Sequence, residues 1–198
     1  SLSGADRISK NLHKAAESKM VKAIILRIDS PGGSAIAAEV ILNAVEKAAE
    51  KKPVIASIAD YGASGGYLIA LGTDTIIAQP ASLIGSIGVF AGKVNIKQLY
   101  EKLDLTSERI SKGKNAGLFS VMQPWTQDEK AVITRLITAY YSHFIEIVAD
   151  SRTLSIEQSN EIAQGRVWSG EEGTGNGLID MTGTIYDAIN VAKKAAGI

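Results

Sequence analysis

The sequence contains no cysteine, which excludes disulfides, thiolate metal sites and thiol catalysis. It has two histidines, so we expect no transition-metal centre either. None of its apolar runs approaches the ~20 residues that cross a bilayer, and we expect no signal peptide at residues 1–20. Any membrane anchor is therefore expected to lie outside this sequence.

Charge of one sign is not in excess, because 21 basic residues balance 21 acidic ones and neither half carries a Lys/Arg block. We therefore expect no nucleic-acid partner. A chain of 198 residues that is 45% hydrophobic can bury a sizeable core, and we expect residues 1–198 to form a single domain. The start Ser1-Leu2-Ser3 lacks methionine, which predicts a piece of a longer protein.

Strand-like and helix-like segments alternate along the chain, a pattern typical of an α/β fold with a mostly parallel sheet and helices on its faces. The glycines within residues 83–90 indicate close backbone approach rather than a plain strand. The predicted strands cover residues 21–28, 54–58, 75–78 and 107–110. The predicted helices cover residues 8–16, 35–51, 67–71, 97–103, 126–150 and a short segment capped by Ser155, with a loop at 111–123.

A serine flanked by glycines, Gly62-Ala63-Ser64-Gly65-Gly66, lies between a predicted strand and a predicted helix. Glycines allow a sharp bend there, and the first N–H groups of a helix are free to bind an oxyanion. The pattern is typical of a nucleophile on a strand-to-helix turn. It is equally typical of a Ser/Gly cluster that caps a helix, and caps are the commoner case.

A nucleophilic serine needs a base, and His143 is the one downstream histidine for a Ser–Asp–His arrangement. It lies within the predicted long helix, where a structural role is the commoner one, and His13 on the first helix is a weaker candidate. The remaining usual base is a lysine in a desolvated pocket. The aspartates that precede His143 and would suit that order are Asp74, Asp104 and Asp128.

Several motifs, taken in order, resemble those of the signal peptide peptidase A family. They occupy residues 29–33, 63–67, 85–89, 165–170 and 176–180, and so extend over nearly the whole chain. The resemblance implies a crotonase/Clp-protease-like fold of repeated β-β-α units with a helical C-terminal part. It also implies a Ser–Lys serine peptidase without a cofactor, which acts as a membrane-associated homo-oligomer of the bacterial cell envelope. The catalytic domain would lie outside the cytoplasm and degrade residual signal peptides and other unfolded or apolar peptides.

The same resemblance assigns roles to five residues. Ser64 matches the nucleophile, and the Gly32-Gly33 turn and the Gly65 amide match the donors that hold the oxyanion. Ser86 matches a serine that hydrogen-bonds the catalytic amine. A tight bend at the glycines and a structural hydroxyl at Ser86 are the alternatives.

The chain departs from the family pattern at the base. In Gly113-Lys114-Asn115-Ala116, alanine stands where short members of the family carry the catalytic lysine. The chain resembles the C-terminal half of long, tandem members, in which the N-terminal half provides the lysine, so we expect a homologous half or neighbouring subunit to supply it. Lys112 and Lys114 are fallback bases, but a solvated lysine stays protonated near neutral pH.

Two other functions remain open. A non-catalytic domain that binds peptides or builds an oligomer is favoured by Ala116. A crotonase-like acyl-CoA enzyme would share the fold but would need acidic catalytic residues in place of an active serine. The Ala63-Ser64-Gly65-Gly66 turn favours the peptidase over the acyl-CoA enzyme.

Overall fold

The computed structural model describes residues 4–198, so Ser1-Leu2-Ser3, on which the prediction of a longer protein rests, lies outside the described residues. The chain divides into two compact units. The first contains the chain up to Gly88 together with His143–Ile198, and the second contains Val89–Ser142. That residues 1–198 form one peptidase-like domain stays a prediction.

Helices and strands alternate through the first unit. From the start of the chain to residue 88 the elements are α1 (Ala5–Glu17), β1 (Ile24–Ser30), α2 (Ala35–Ala49), β2 (Val54–Ala63), α3 (Gly65–Ala70), β3 (Thr75–Ala78) and β4 (Leu83–Gly85). Beyond residue 88 they are α4 (Lys97–Lys102), α5 (Gln127–Arg152), α6 (Ile156–Ile162), β5 (Val167–Ser169), α7 (Gly170–Gly175), β6 (Met181–Thr182) and α8 (Ile185–Ala195). The helix predicted after Ser155 is confirmed, with a complete capping box at its start.

Strand β2 is the centre of a six-stranded sheet and pairs with β1, β3 and β4. All pairs are parallel except β4 with β5, which confirms the predicted mostly parallel sheet. Successive residues of β2 face opposite sides: Val54 packs in the cluster formed with α1 and α2, whereas Ile55 packs against α8. Burial on both faces explains why the strand reads as a continuous apolar run.

The register of the sheet brings three strand ends together. Ser30 at the end of β1 pairs with Gly62, and the last residues of β2 pair with Leu83–Gly85 of β4. Parallel strands end on the same edge, so the segments that follow β1, β2 and β4 leave the sheet side by side. These segments contain the Gly32-Gly33 turn, Ser64 and Ser86.

The second unit contains α4 and the beginning of α5. The predicted capping box opens α5, since the Thr126 amide donates to Glu129 Oε2 (2.9 Å) and the Glu129 amide donates to Thr126 Oγ1 (3.2 Å). The predicted strand at residues 107–110 is wrong: in the described chain this segment pairs with no strand, and Ile110 is 95% exposed. β-Propensity alone does not make a strand without a neighbouring edge to bond.

Among residues 4–198, no helix combines the length and the apolar character that crossing a membrane requires.

Candidate active site

Ser64 immediately follows β2 and stands at the first position before α3. Its backbone has φ +49° and ψ −121°, a conformation that is rare for residues other than glycine and is held by tertiary contacts. The Ser64 amide donates to the Gly85 carbonyl (2.8 Å), and the Ser64 carbonyl accepts from the Leu68 amide (2.9 Å). The Ser64 hydroxyl makes no capping hydrogen bond to α3. The turn is therefore not explained as a serine cap.

The Gly32-Gly33 turn lies directly against the Ser64 side chain. Gly32 has φ +109°, and a Cβ on it would lie 2.7 Å from Ser64 Cβ and 3.1 Å from Ser64 Oγ. The Gly33 nitrogen is 3.6 Å from the point that a Cβ on Gly65 would occupy. The structure thus brings together four of the residues that the sequence singled out: Gly32, Gly33, Ser64 and Gly65.

Two backbone donors at this turn are unused. Within residues 4–198, neither the Gly33 amide nor the Gly65 amide donates a hydrogen bond. Unpaired N–H groups beside a serine hydroxyl are the arrangement that stabilises an oxyanion as an acyl group is attacked.

Two residues of the sequence motifs, Ser30 and Gly66, shape the turn, and sequence reasoning assigned no role to either. Ser30 Oγ accepts a hydrogen bond from the Gly32 amide (3.2 Å), which closes a tight Ser–Pro–Gly turn. Gly66 packs on the end of β1, where a Cβ would come within 2.7 Å of the Ser30 carbonyl oxygen. A serine two residues before a glycine is a known turn signal and could have identified Ser30.

Ser86 follows Gly85, the residue whose carbonyl accepts the Ser64 amide. Ser86 has φ +46°, and its amide donates to the Arg166 carbonyl (2.7 Å). Gly88 lies so close to Gly165 that a Cβ would be 3.1 Å from the Gly165 Cα. The close backbone approach predicted from these glycines is confirmed, but the expectation that they replace a plain strand is wrong, because Leu83–Gly85 pairs with β2 as strand β4. Ser86 lies directly after this strand.

Comparison with known proteins agrees with this geometry. Residues 46–198 match peptidase family S49. The chain belongs to peptidase family S49. It is 39% identical over 195 residues to the serine protease SPPA, chloroplastic, of Arabidopsis thaliana, covering 98% of this chain and 29% of that protein. It is 37% identical over 192 residues to Protease 4 of Haemophilus influenzae, covering 96% of this chain and 31% of that protein. The resemblance inferred from the motifs is confirmed, and the chain spans about a third of the length of these relatives.

The S49 chain also shares its fold with a ClpP1 mutant from Listeria monocytogenes. The TM-score is 0.64 at 18% identity, and the match covers 93% of this chain and 86% of that one. The prediction of a Clp-protease-like α/β fold is therefore confirmed.

The two histidines of this S49 chain contact residues other than Ser64. His143 lies on α5 with Nε2 3.3 Å from Glu39 Oε1 and Nδ1 3.9 Å from Glu146 Oε2. Asp74 accepts the Val54 amide (2.7 Å). His13 lines a cleft of about 590 Å³ between α1 and α2. In the described part of the chain no hydrogen bond joins Ser64 to either histidine, so the geometry gives no Ser–His pair.

The expected base position belongs to the second unit. Ala116 is exposed in a turn, where its amide donates to the Gly113 carbonyl (3.2 Å). Lys114 Nζ is 2.9 Å from Asp128 Oδ2, and the lysine side chain is 76% exposed. An exposed lysine lacks the water-excluding pocket that a catalytic amine needs. Lys112 is also exposed.

Proposed function

We propose that this chain is the serine-bearing domain of a Ser–Lys endopeptidase, with Ser64 as the nucleophile. The observation that carries the proposal is the Ser64 hydroxyl, uncapped on a strained turn and packed against Gly32. The unused Gly33 and Gly65 amides beside it are the donors for the oxyanion. Membership of a peptidase family supports the same chemistry.

In the proposed reaction a neutral amine takes the Ser64 proton while Oγ attacks the carbonyl carbon of the peptide bond. Collapse of the tetrahedral intermediate breaks the C–N bond, and the ammonium returns the proton to the leaving amine. Water then attacks the acyl-serine ester while the amine accepts a proton from it, and collapse of the second tetrahedral intermediate breaks the bond between the acyl carbon and Ser64 Oγ. The ammonium returns its proton to Oγ, which releases the acid and restores the Ser64 hydroxyl and the neutral amine. Ser86, at the neighbouring strand end, would orient the amine with its hydroxyl.

We infer that the amine comes from outside this chain, on a homologous half or a neighbouring subunit. Ala116 at the expected position and the ion pair of Lys114 with Asp128 support this inference. An ordinary lysine has a pKa of about 10.4, so the amine must be desolvated at Ser64 to be neutral near pH 7. The chloroplastic SPPA and the Haemophilus influenzae Protease 4 are about three times as long as the segment they share with this chain, which leaves room for such a half.

We further propose that the substrates are residual signal peptides and other unfolded or apolar peptides, degraded by a homo-oligomer at the bacterial cell envelope. The names of the relatives, serine protease SPPA and Protease 4, support a protease of this kind. Several large apolar side chains of the second unit are exposed, among them Phe90 (96%), Ile110 (95%) and Phe119 (76%). Such surfaces favour association with peptides or other subunits. Any attachment to the membrane would use segments outside this chain.

The nucleophile is tested in the full-length protein by comparing wild type, Ser64→Ala and the matched control Ser155→Ala, which alters a helix cap. Turnover of an unfolded protein and of an apolar peptide should fall at least about a thousandfold in Ser64→Ala alone. Equal turnover in wild type and Ser64→Ala would reject Ser64 as the nucleophile.

The source of the base is tested by supplying a homologous half that carries the lysine. Residues 1–198 alone should be nearly inactive, because a serine without a base loses about two to four orders of magnitude in rate. Co-expression with a lysine-bearing homologous half should restore cleavage, and replacing that lysine with alanine should abolish the gain.

The second candidate function is a non-catalytic domain that binds peptides or builds an oligomer, and Ala116 is the observation that favours it. It becomes the better conclusion if the two halves assemble without cutting peptide and Ala116→Lys also gives no activity.

A further inference from the structure

Tyr67 is the largest fully buried side chain of the helix that follows Ser64. It is the third residue of α3 and is 0% exposed. Its hydroxyl donates a hydrogen bond to the Leu178 carbonyl (2.6 Å), 111 residues away in sequence. Desolvation on burial raises the pKa of Tyr67, so the phenol is a neutral donor at physiological pH.

The acceptor belongs to a segment that is itself fixed. The Leu178 amide donates to the Gly173 carbonyl (2.8 Å), and the Asp180 amide donates to the Ile76 carbonyl of β3 (3.0 Å). Arg152 of α5 donates from Nε to the Gly177 carbonyl (2.7 Å) and pairs with Asp180 (2.8 Å). Tyr67 thus ties α3 to a carbonyl that two other elements hold in place.

Helix α3 depends on such ties because it has six residues and would not be stable in isolation. At one end the Ser64 amide bonds to the Gly85 carbonyl (2.8 Å), and at the other the Ser151 hydroxyl bonds to the Leu71 carbonyl (2.8 Å). Between these ends Tyr67 provides the side-chain hydrogen bond on the buried side. It lies less than one helical turn from Ser64, so a displacement of Tyr67 also displaces Ser64 and Gly65.

We propose that Tyr67 is a positioning residue for the peptidase reaction. Its hydrogen bond to the Leu178 carbonyl fixes the position of α3 against the segment that contains Leu178. The position of α3 in turn determines where Ser64 Oγ and the Gly65 N–H lie relative to the Gly32-Gly33 turn. This inference rests on the proposed function. The close packing of Gly32 on Ser64, with 2.7 Å to a hypothetical Cβ, makes the arrangement sensitive to small shifts of the helix.

The test uses the full-length protein and the variant Tyr67→Phe, which keeps the ring and removes the hydroxyl. We expect kcat to fall about tenfold or more, because misplacement of a reacting group by a fraction of an ångström to 1 Å costs up to about a hundredfold. KM should stay within about twofold. Affinity for a peptide boronic acid, which forms a tetrahedral adduct with the serine, should fall by the same factor as kcat/KM.

Ser57→Ala is the matched control. Ser57 is 1% exposed, lies on β2, and accepts a hydrogen bond from Arg27 Nη1 (2.8 Å), so its loss also removes a buried hydroxyl. A loss of stability alone would act in both variants. The positioning role predicts an effect on kcat and boronate affinity in Tyr67→Phe only.

A folded Tyr67→Phe protein with wild-type kcat and boronate affinity would overturn the proposal. If Tyr67→Phe does not fold, Arg152→Lys replaces it, since this change loosens the Leu178 segment without altering α3. In Arg152→Lys kcat should fall at constant KM, and an unchanged kcat would reject the positioning role. Turnover that survives Ser64→Ala rejects the proposed function itself, whereas loss in Ser64→Ala with full activity in Tyr67→Phe rejects only the role of Tyr67.

Discussion

Replacing Gly32 with alanine is the sharpest single perturbation of the candidate site. The added Cβ would lie 2.7 Å from Ser64 Cβ and 3.1 Å from both Ser64 Oγ and the Gly65 nitrogen. Carbon atoms in contact prefer about 3.5–4.0 Å, so Ser64 and the turn must separate by about 1 Å. The change therefore acts on the nucleophile and on an oxyanion donor at once.

The magnitude has two parts. Gly32 has φ +109°, where a residue with a Cβ carries about 1–3 kcal/mol of backbone strain. Overpacking against Ser64 adds about 1–3 kcal/mol. Together these lower the free energy of unfolding of this part of the protein by about 2–6 kcal/mol, and the transition in which it unfolds moves to lower temperature. In the protein that still folds, a 1 Å misplacement predicts about a hundredfold loss of kcat/KM.

Peptide turnover and thermal unfolding of the full-length protein measure both effects. Gly175→Ala is the control, because Gly175 ends α7, has no positive φ, and has no atom within 4 Å of the position that a Cβ would occupy. It should leave Tm and turnover at or slightly above the wild-type values. Wild-type Tm and turnover in Gly32→Ala would refute the reasoning, since the turn would then not touch Ser64.

Three further outcomes follow from the contacts. Arg152→Met should lower stability by about 1.5–3 kcal/mol, measured by urea unfolding, because the 12% exposed arginine side chain bonds both Asp180 and the Gly177 carbonyl. Burial raises the pKa of Tyr67, so the stability that the neutral phenol contributes is present below about pH 10 and is lost as pH rises further. The free energy of unfolding measured from pH 9 to 11 should therefore depend less on pH in Tyr67→Phe than in the wild type. Hydrogen bonds from the Thr184 amide and hydroxyl lower the pKa of Asp187, so the stability that the carboxylate contributes is present above about pH 4 and is lost as pH falls. In Asp187→Asn the free energy of unfolding should therefore decrease less between pH 5 and about pH 3 than in the wild type.

Elements with a strong local signal were predictable from the sequence. Strand β3 was predicted at the residues where it forms, Thr75–Ala78, and the capping residues Thr126 and Glu129 identified the start of α5. The strand predicted at residues 107–110 was not found, because a strand is defined by the edge it bonds to and the local sequence carries no information about that edge.

In the candidate site too, residues with a local sequence signal could be predicted and long-range contacts could not. Gly32, Gly33, Ser64 and Gly65 belong to short motifs, and parallel strand ends gather such motifs on one edge. The bond from Tyr67 to Leu178 joins residues 111 positions apart and has no local signature. From the sequence, Tyr67 after two glycines is indistinguishable from any buried aromatic residue. Only the fold shows that its hydroxyl donates to the Leu178 carbonyl.

The base is a different kind of problem from the nucleophile. The nucleophile and the oxyanion donors need only a strained turn and unpaired amides, which the ends of β1 and β2 provide within one sheet. A neutral lysine needs in addition an environment with little water, and Lys114 at 76% exposure lacks it. Ser64 itself is half-buried and open to partners. It follows from the proposed function that the piece of protein that brings the amine must also cover Ser64, because an amine delivered without that cover would stay protonated and could not accept the serine proton.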